Sequence, residues 1–249
     1  MIYIYSDTGT SRNSVAHLVR CLGLCAPNLP VVKLSAPELI AGQWQNDARC
    51  LIMPGGADLP YAEKLNGQGN KIISDYVATG GTYIGICAGA YYAARRIEFD
   101  AHGENPIVGE RELGFFPGTI IGPHWAPYDK GHHSGARAVT LYSNSHDPWD
   151  TYINGGGHFV MDPDGIHRVT PIAWDKDNAL VMVGMRVQKG FVFLSAAHWE
   201  YDPLFIAPCC TTITPPCLNE AVLARLVASN EARTHVVVSQ LWQKIMGES

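Results

Sequence analysis

The chain has 249 residues, 47% of them hydrophobic and 16% charged, with a formal net charge of −5. A chain this long buries roughly 70–75% of its unfolded surface and needs no metal or disulfide staple; its apolar content excludes intrinsic disorder. A pI near 6.0 argues against a nucleic-acid or anionic-membrane binder, because both need a concentrated basic face.

Ile2 to Tyr5 reads as a short strand and Ser6 to Ser11 as a polar turn. Val15, Leu18, Val19 and Leu22 then fall at i, i+3, i+4 and i+7, one apolar helix face with Ser11 as N-cap and Gly23 as stop. Val31 to Leu34 is a second strand, followed by a short helix from Pro37 to Ala41. Cys50 to Met53 is a third strand, ending in Pro54-Gly55-Gly56-Ala57-Asp58. A helix carries Ile72, Ile73, Tyr76 and Val77 to Gly80-Gly81. Thr82 to Ile86 is a fourth strand and Ala88 to Arg96 a helix. Strand and helix alternate through short links, the pattern of a parallel sheet covered on both faces.

From about Ile97 to Asp164 helical periodicity vanishes among glycine, proline, histidine and aromatic residues. Loops and short antiparallel strands are expected there, such as Arg137 to Tyr142 and Thr151 to Asn154. Val169 to Trp174, Ala179 to Val187 and Phe191 to Ala197 resume the sheet, the last two joined as a hairpin at Gln188-Lys189-Gly190. Helices are expected near Leu218 to Ser229 and Thr234 to Met246. There is no repeat and no long linker, so one domain over residues 1–249 is expected, α/β with a loop-rich, antiparallel insertion in its middle.

No apolar stretch approaches the ~20 residues of a membrane span. The start meets Asp7 too early for a secretory signal. Seven cysteines, an odd number over a long chain, do not suggest a secreted disulfide framework. A cytoplasmic protein with free thiols is expected.

Gly85-Ile86-Cys87-Ala88-Gly89 is G-x-C-x-G, the thiol counterpart of the G-x-S-x-G nucleophile elbow, in which small neighbours permit a sharp turn. At the head of a helix, the positive end of the dipole favours the thiolate. A small buried core cysteine is the alternative. Gly55 and Gly56 end the neighbouring strand, and with the amide of Ala88 they would form an oxyanion hole. His198-Trp199-Glu200 follows the last strand. If the chain stays extended, residues i and i+2 share a face, so Glu200 would orient His198 while His198 takes the proton of Cys87.

These residues resemble the class I glutamine amidotransferase-like superfamily, which uses a cysteine elbow and a later H-x-E. More closely, the chain is similar to the amino-terminal domain of eukaryotic-type biotin–protein ligases and its stand-alone bacterial relatives. The stretches Pro54 to Tyr61, Gly85 to Tyr92, Asn154 to Gly157 and His198 to Tyr201 carry the likeness. The resemblance implies a flavodoxin-like, mostly parallel sheet with helices on both faces. It also implies a Cys87–His198–Glu200 triad, oxyanion donors at Gly55, Gly56 and Ala88, and an amidohydrolase or acyltransferase that needs no cofactor. Glutamine-hydrolysing members usually carry glutamine where this chain has Tyr91. Ammonia delivery needs a synthetase domain and biotin ligation a ligase module; neither is recognisable in this sequence. A non-catalytic binding or regulatory module is the alternative function.

The expected ligand is a small amide or carboxylate, with a biotin-handling protein as a possible partner. Asp58, Tyr91, Gly156, Gly157 and His158 are candidate pocket residues, and His158 is the second candidate base. Trp125, Tyr128, Trp149 and Tyr152 could line a pocket or pack a lid. His124, His132, His133 and His146 lack the convergent spacing of a metal site, and Cys209, Cys210 and Cys217 lack C-x-x-C spacing. No metal is expected. The Asp7–Ser11 turn suits either a carboxyl-bearing ligand or a plain cap.

Overall fold

A computed structural model describes residues 1–104, 106–125, 128, 135–145, 147–205, 219–237 and 241–247. His132, His133, His146, Cys209, Cys210, Cys217 and Leu218 lie outside the described residues.

Continuous apolar runs build the centre. The strands β1 (Ile2–Tyr5), β2 (Val31–Leu34), β3 (Cys50–Met53), β4 (Thr82–Ile86) and, much later in the chain, β13 (Gly190–Ser195) pair in parallel. Every residue of β1 and β3 is buried, as both-faced packing of a parallel sheet requires. The spatial order runs β2-β1-β3-β4-β13, a 2-1-3-4-5 doubly wound arrangement. Two antiparallel strands extend it past β13, β12 (Leu180–Val187) and β11 (Val169–Trp174), making seven in all.

The first helix, α1 (Arg12–Cys25), is capped by Ser11, whose side chain accepts from the Ser14 N–H. It runs past the expected stop at Gly23 to a cap at Ala26. Gly23 has open space around it and adopts helical geometry at a modest cost of about 1 kcal/mol. The short helix α2 (Ala36–Ala41) follows β2. The expected helix after β3 is two, α3 (Asp58–Leu65) and α4 (Gln68–Ala78), the first opened by an acidic residue and by Pro60 in its first turn.

The helix expected over Ala88 to Arg96 is corrected. It spans only Ala88–Tyr92 (α5), and Ala94–Phe99 is strand β5. Ala93 and Ala94 are good helix formers, but both are fully buried, and the Phe116 N–H donates to the Ala93 carbonyl. Long-range pairing outweighs local propensity here.

The insertion is more ordered than its composition suggests. With β6 (Ile107–Glu110), β7 (Phe116–Gly122) and β10 (His158–Met161), β5 forms a four-stranded sheet ordered β10-β7-β5-β6. The β5–β7 pair is parallel rather than antiparallel. The strands β8 (Arg137–Leu141) and β9 (Trp149–Ile153) form the expected antiparallel pair. Helices at Glu220–Ala228, Asn230–Val236 and Trp242–Met246 follow. No helix among the described residues is long and apolar enough to cross a membrane.

Candidate active site

The carboxyl ends of β3, β4 and β13 meet at one edge of the sheet, where doubly wound folds bind ligands. Cys87 stands there between β4 and α5 with φ +50°, a left-handed conformation costly for a residue with a Cβ. The turn is held shut: the Cys87 N–H donates to the Ser195 carbonyl at 2.8 Å, and its own carbonyl accepts from Ala90 and Tyr91. Close approach requires both flanking glycines. A Cβ at Gly85 would stand 2.5 Å from the Gly89 carbonyl oxygen, and one at Gly89 2.0 Å from that of Met53. Cys87 is only 7% exposed.

The strand β13 stops at Ser195, so the extended run expected through Glu200 does not continue. His198 is instead fixed by an isolated antiparallel bridge to Tyr152, its N–H donating to the Tyr152 carbonyl at 2.9 Å. Thr151 Oγ1 donates to the His198 carbonyl. Even so, His198 Nδ1 lies 2.8 Å from Glu200 Oε1, with both side chains buried. Tyr201 and Tyr152 flank the ring, at 4.7 and 5.6 Å between centroids.

The amide roles expected of the glycine turn divide. Gly55 does not offer its N–H to a ligand, because that group donates to Ser14 Oγ at 3.0 Å. The antiparallel bridge between Thr10 and Gly56 uses Ser11 N–H to Gly55 O and Ala57 N–H to Gly9 O, and leaves the Gly56 amide outside it. Ala88 contributes the first amide of α5, a position with no intrahelical acceptor.

The family described as biotin-protein ligase, N terminal, matches residues 1–246. The chain belongs to the biotin-protein ligase N-terminal family. It is 33% identical over 211 residues to an uncharacterized protein of Chlamydia muridarum, covering 82% of each. It is 29% identical to the biotin–protein ligase of Schizosaccharomyces pombe over 81% of this chain but only 33% of that longer protein. Among solved structures, a glutamine amidotransferase from Thermotoga maritima superimposes with a TM-score of 0.60 at 10% identity, over 98% of each chain. Another glutamine amidotransferase does so with 0.56 at 16%, again over 98% of each. The fold of this family member is thus that of the class I glutamine amidotransferases.

Electrostatics distinguish His198 from the other buried histidine of the site. Burial alone would push its pKa down, but the Glu200 carboxylate, then the charge of Cys87 and hydrogen bonds to both residues, raise it to about 10. These contacts favour the imidazolium form of His198 over the neutral ring. His17 goes the other way: burial lowers it to about 4, and neutral Nδ1 accepts the Asp202 N–H at 3.0 Å. Its ring stacks on Tyr201 at 4.0 Å.

Several expected pocket residues are committed elsewhere. Asp58 pairs with Arg111, whose Nε and Nη2 each lie 2.7 Å from Oδ2. Tyr91 donates to the Gly155 carbonyl at 3.3 Å. Its hydroxyl fills a slot that a Cβ at Gly122 or Gly157 would block. Gly156 packs on the Ala196 carbonyl and accepts from the His124 N–H. The glycine run thus braces the elbow helix and the approach to His198. His158 belongs to another cluster: its ring lies 4.6 Å from that of His124, which pairs with Asp175 at 2.8 Å. A cavity of about 450 Å³ beside that cluster is lined by Tyr142, Trp174, Asp175 and neighbours, not by Cys87.

Of the aromatic candidates, Trp149 is core and Tyr152 adjoins His198. Trp125 packs on His124, and Tyr128 on Phe99. The Asp7–Ser11 turn is a double cap, Ser11 for α1 and Asp7 accepting the Ala36 N–H that opens α2. Among the described residues no group of three or more His, Cys, Asp or Glu side chains is placed to hold a metal.

Sequence reasoning missed Ser14, His17 and Arg233. Ser14 and His17 are polar residues three apart on the buried face of α1, beside Val15 and Leu18. That interruption of an apolar stripe was the available signal. Arg233 is buried and donates to the Trp199 carbonyl, steadying the peptide between His198 and Glu200.

Proposed function

We propose that the chain is a cysteine-nucleophile amidohydrolase or acyltransferase in which Cys87, His198 and Glu200 act as a triad. Cys87 Sγ adds to the carbonyl carbon of a small amide, and the thiol proton resides on His198. The carbonyl electron pair moves to oxygen, and the amides of Gly56 and Ala88 donate hydrogen bonds to that oxyanion. Collapse expels the amine, which takes the proton from His198. Water, deprotonated by His198, then attacks the thioester, and the Cys87 thiolate leaves as the carboxylate product departs. No cofactor enters this scheme.

The observation that carries this reading is the 2.8 Å contact between His198 and Glu200 on a ring that also couples to Cys87. The free thiols of Cys21, Cys25, Cys50 and Cys87 support a reducing, cytoplasmic setting. Mass spectrometry of the protein incubated with small activated amides and thioesters tests the proposal. It expects an acyl adduct on Cys87 that turns over in the wild type and persists in His198→Ala. Absence of any adduct on Cys87 across the panel sinks it.

The low exposure of Cys87 favours a second reading, a non-catalytic module that binds a small carboxylate or amide. Likeness to one third of a biotin–protein ligase supports a biotin-handling protein as its partner. Ligand-dependent thermal stabilisation that survives Cys87→Ala without turnover would select this second reading.

A further inference from the structure

Ser14 is fully buried on α1, and a buried hydroxyl is almost always bonded. Its Oγ accepts the Gly55 N–H and donates to Glu200 Oε1, each at 3.0 Å. Three remote segments therefore converge on one oxygen.

The same carboxylate oxygen accepts from His198 Nδ1, while Glu200 Oε2 is buried with no hydrogen-bond partner among the described residues. The terminal torsion of a glutamate is broad and roughly two-fold. A single donor at one oxygen leaves that rotor loosely set; two donors from different directions fix it. Ser14 also touches the space beside Gly55 that the His198 ring fills: a Cβ there would meet Ser14 Oγ at 3.3 Å and His198 Cε1 at 2.5 Å.

We propose that Ser14 is a positioning residue: its hydroxyl sets the Glu200 carboxylate, and through it the His198 ring, and ties both to the loop carrying the Gly56 amide. The assignment rests on the triad reading above. Ser14 itself touches no reacting atom. A purely structural serine would satisfy the Gly55 N–H and leave the imidazole indifferent to its loss.

The test combines proton NMR of the His198 Nδ1–H with alkylation of Cys87 by iodoacetamide, read at that residue by mass spectrometry. In Ser14→Ala the downfield Nδ1–H signal should shift upfield or broaden. Labelling at pH 7 should fall roughly tenfold, the scale on which outer partners of a functional side chain act. In a Glu200→Ala background the same substitution should add no further loss. A sharp, unshifted Nδ1–H in folded Ser14→Ala, or an equal loss in both backgrounds, overturns the proposal. Should Ser14→Ala fail to fold, Ser14→Cys, similar in size and a far weaker donor, carries the same expectations. If wild-type labelling proves independent of His198, the triad reading fails, and the Nδ1–H spectrum still decides the role of Ser14.

Discussion

The ring of His198 fills the space that a side chain at Gly55 would need, with Cε1 2.5 Å from the position of a Cβ there. This contact joins the turn after β3 to the segment after β13, and it gives Gly55 a role other than oxyanion donor. Gly55→Ala must displace the imidazole or the loop, and overpacking of this kind costs typically 1–3 kcal/mol. We expect a lowered thermal midpoint together with at least a roughly tenfold loss of Cys87 alkylation, the penalty expected of a misplaced partner. Unchanged labelling in this variant would mean that the ring position is unimportant to the thiol.

The two buried histidines predict opposite pH dependences of stability. His198 is raised from the ordinary 6.5 to about 10, so between those values the folded state binds a proton that the unfolded state lacks. Its contribution is fully present below pH 6.5 and fades as the pH rises through about 10. Denaturant unfolding from pH 6.5 to 10 should show declining stability, with a flatter profile in His198→Gln.

His17, lowered to about 4 chiefly by burial, resists protonation in the folded state. Its contribution is present above pH 6.5 and is lost as the pH falls through about 4. Unfolding measured between pH 6.5 and 4 should show that loss, and His17→Gln should remove most of the slope. An identical slope in the variant would contradict the burial of a neutral ring.

Asp58 and Arg111 form an ion pair with side chains 9% and 7% exposed. Removing one partner of such a pair strands the other charge and costs about 3–5 kcal/mol, whereas replacing both with apolar residues costs far less. Arg111→Ala should therefore destabilise strongly, and Asp58→Leu with Arg111→Met only mildly. Equal losses in both would show that packing, not charge, holds α3 here.

The parallel core was legible because β1, β3 and β4 are short apolar runs bounded by turn residues, a local pattern that burial enforces. The meeting of His198 and Glu200 was expected from an extended run, whereas it comes from the bridge to Tyr152 after β13 has ended. What escaped depends on contacts distant in sequence. Ala94–Phe99 becomes a strand between β6 and β7, and the Gly55 amide is diverted by a serine 41 residues upstream. A short motif announces neither.

The pH profile of Cys87 alkylation is the most direct test of the claim that His198 governs the thiol. It is read at that residue because Cys50 is pushed up to about 12 by burial and Cys25 is lowered by its hydrogen bond with Cys21. A break in the labelling profile is expected near pH 10, where His198 loses its proton. In His198→Ala that break should be absent. Identical profiles in the wild type and the variant would contradict that claim.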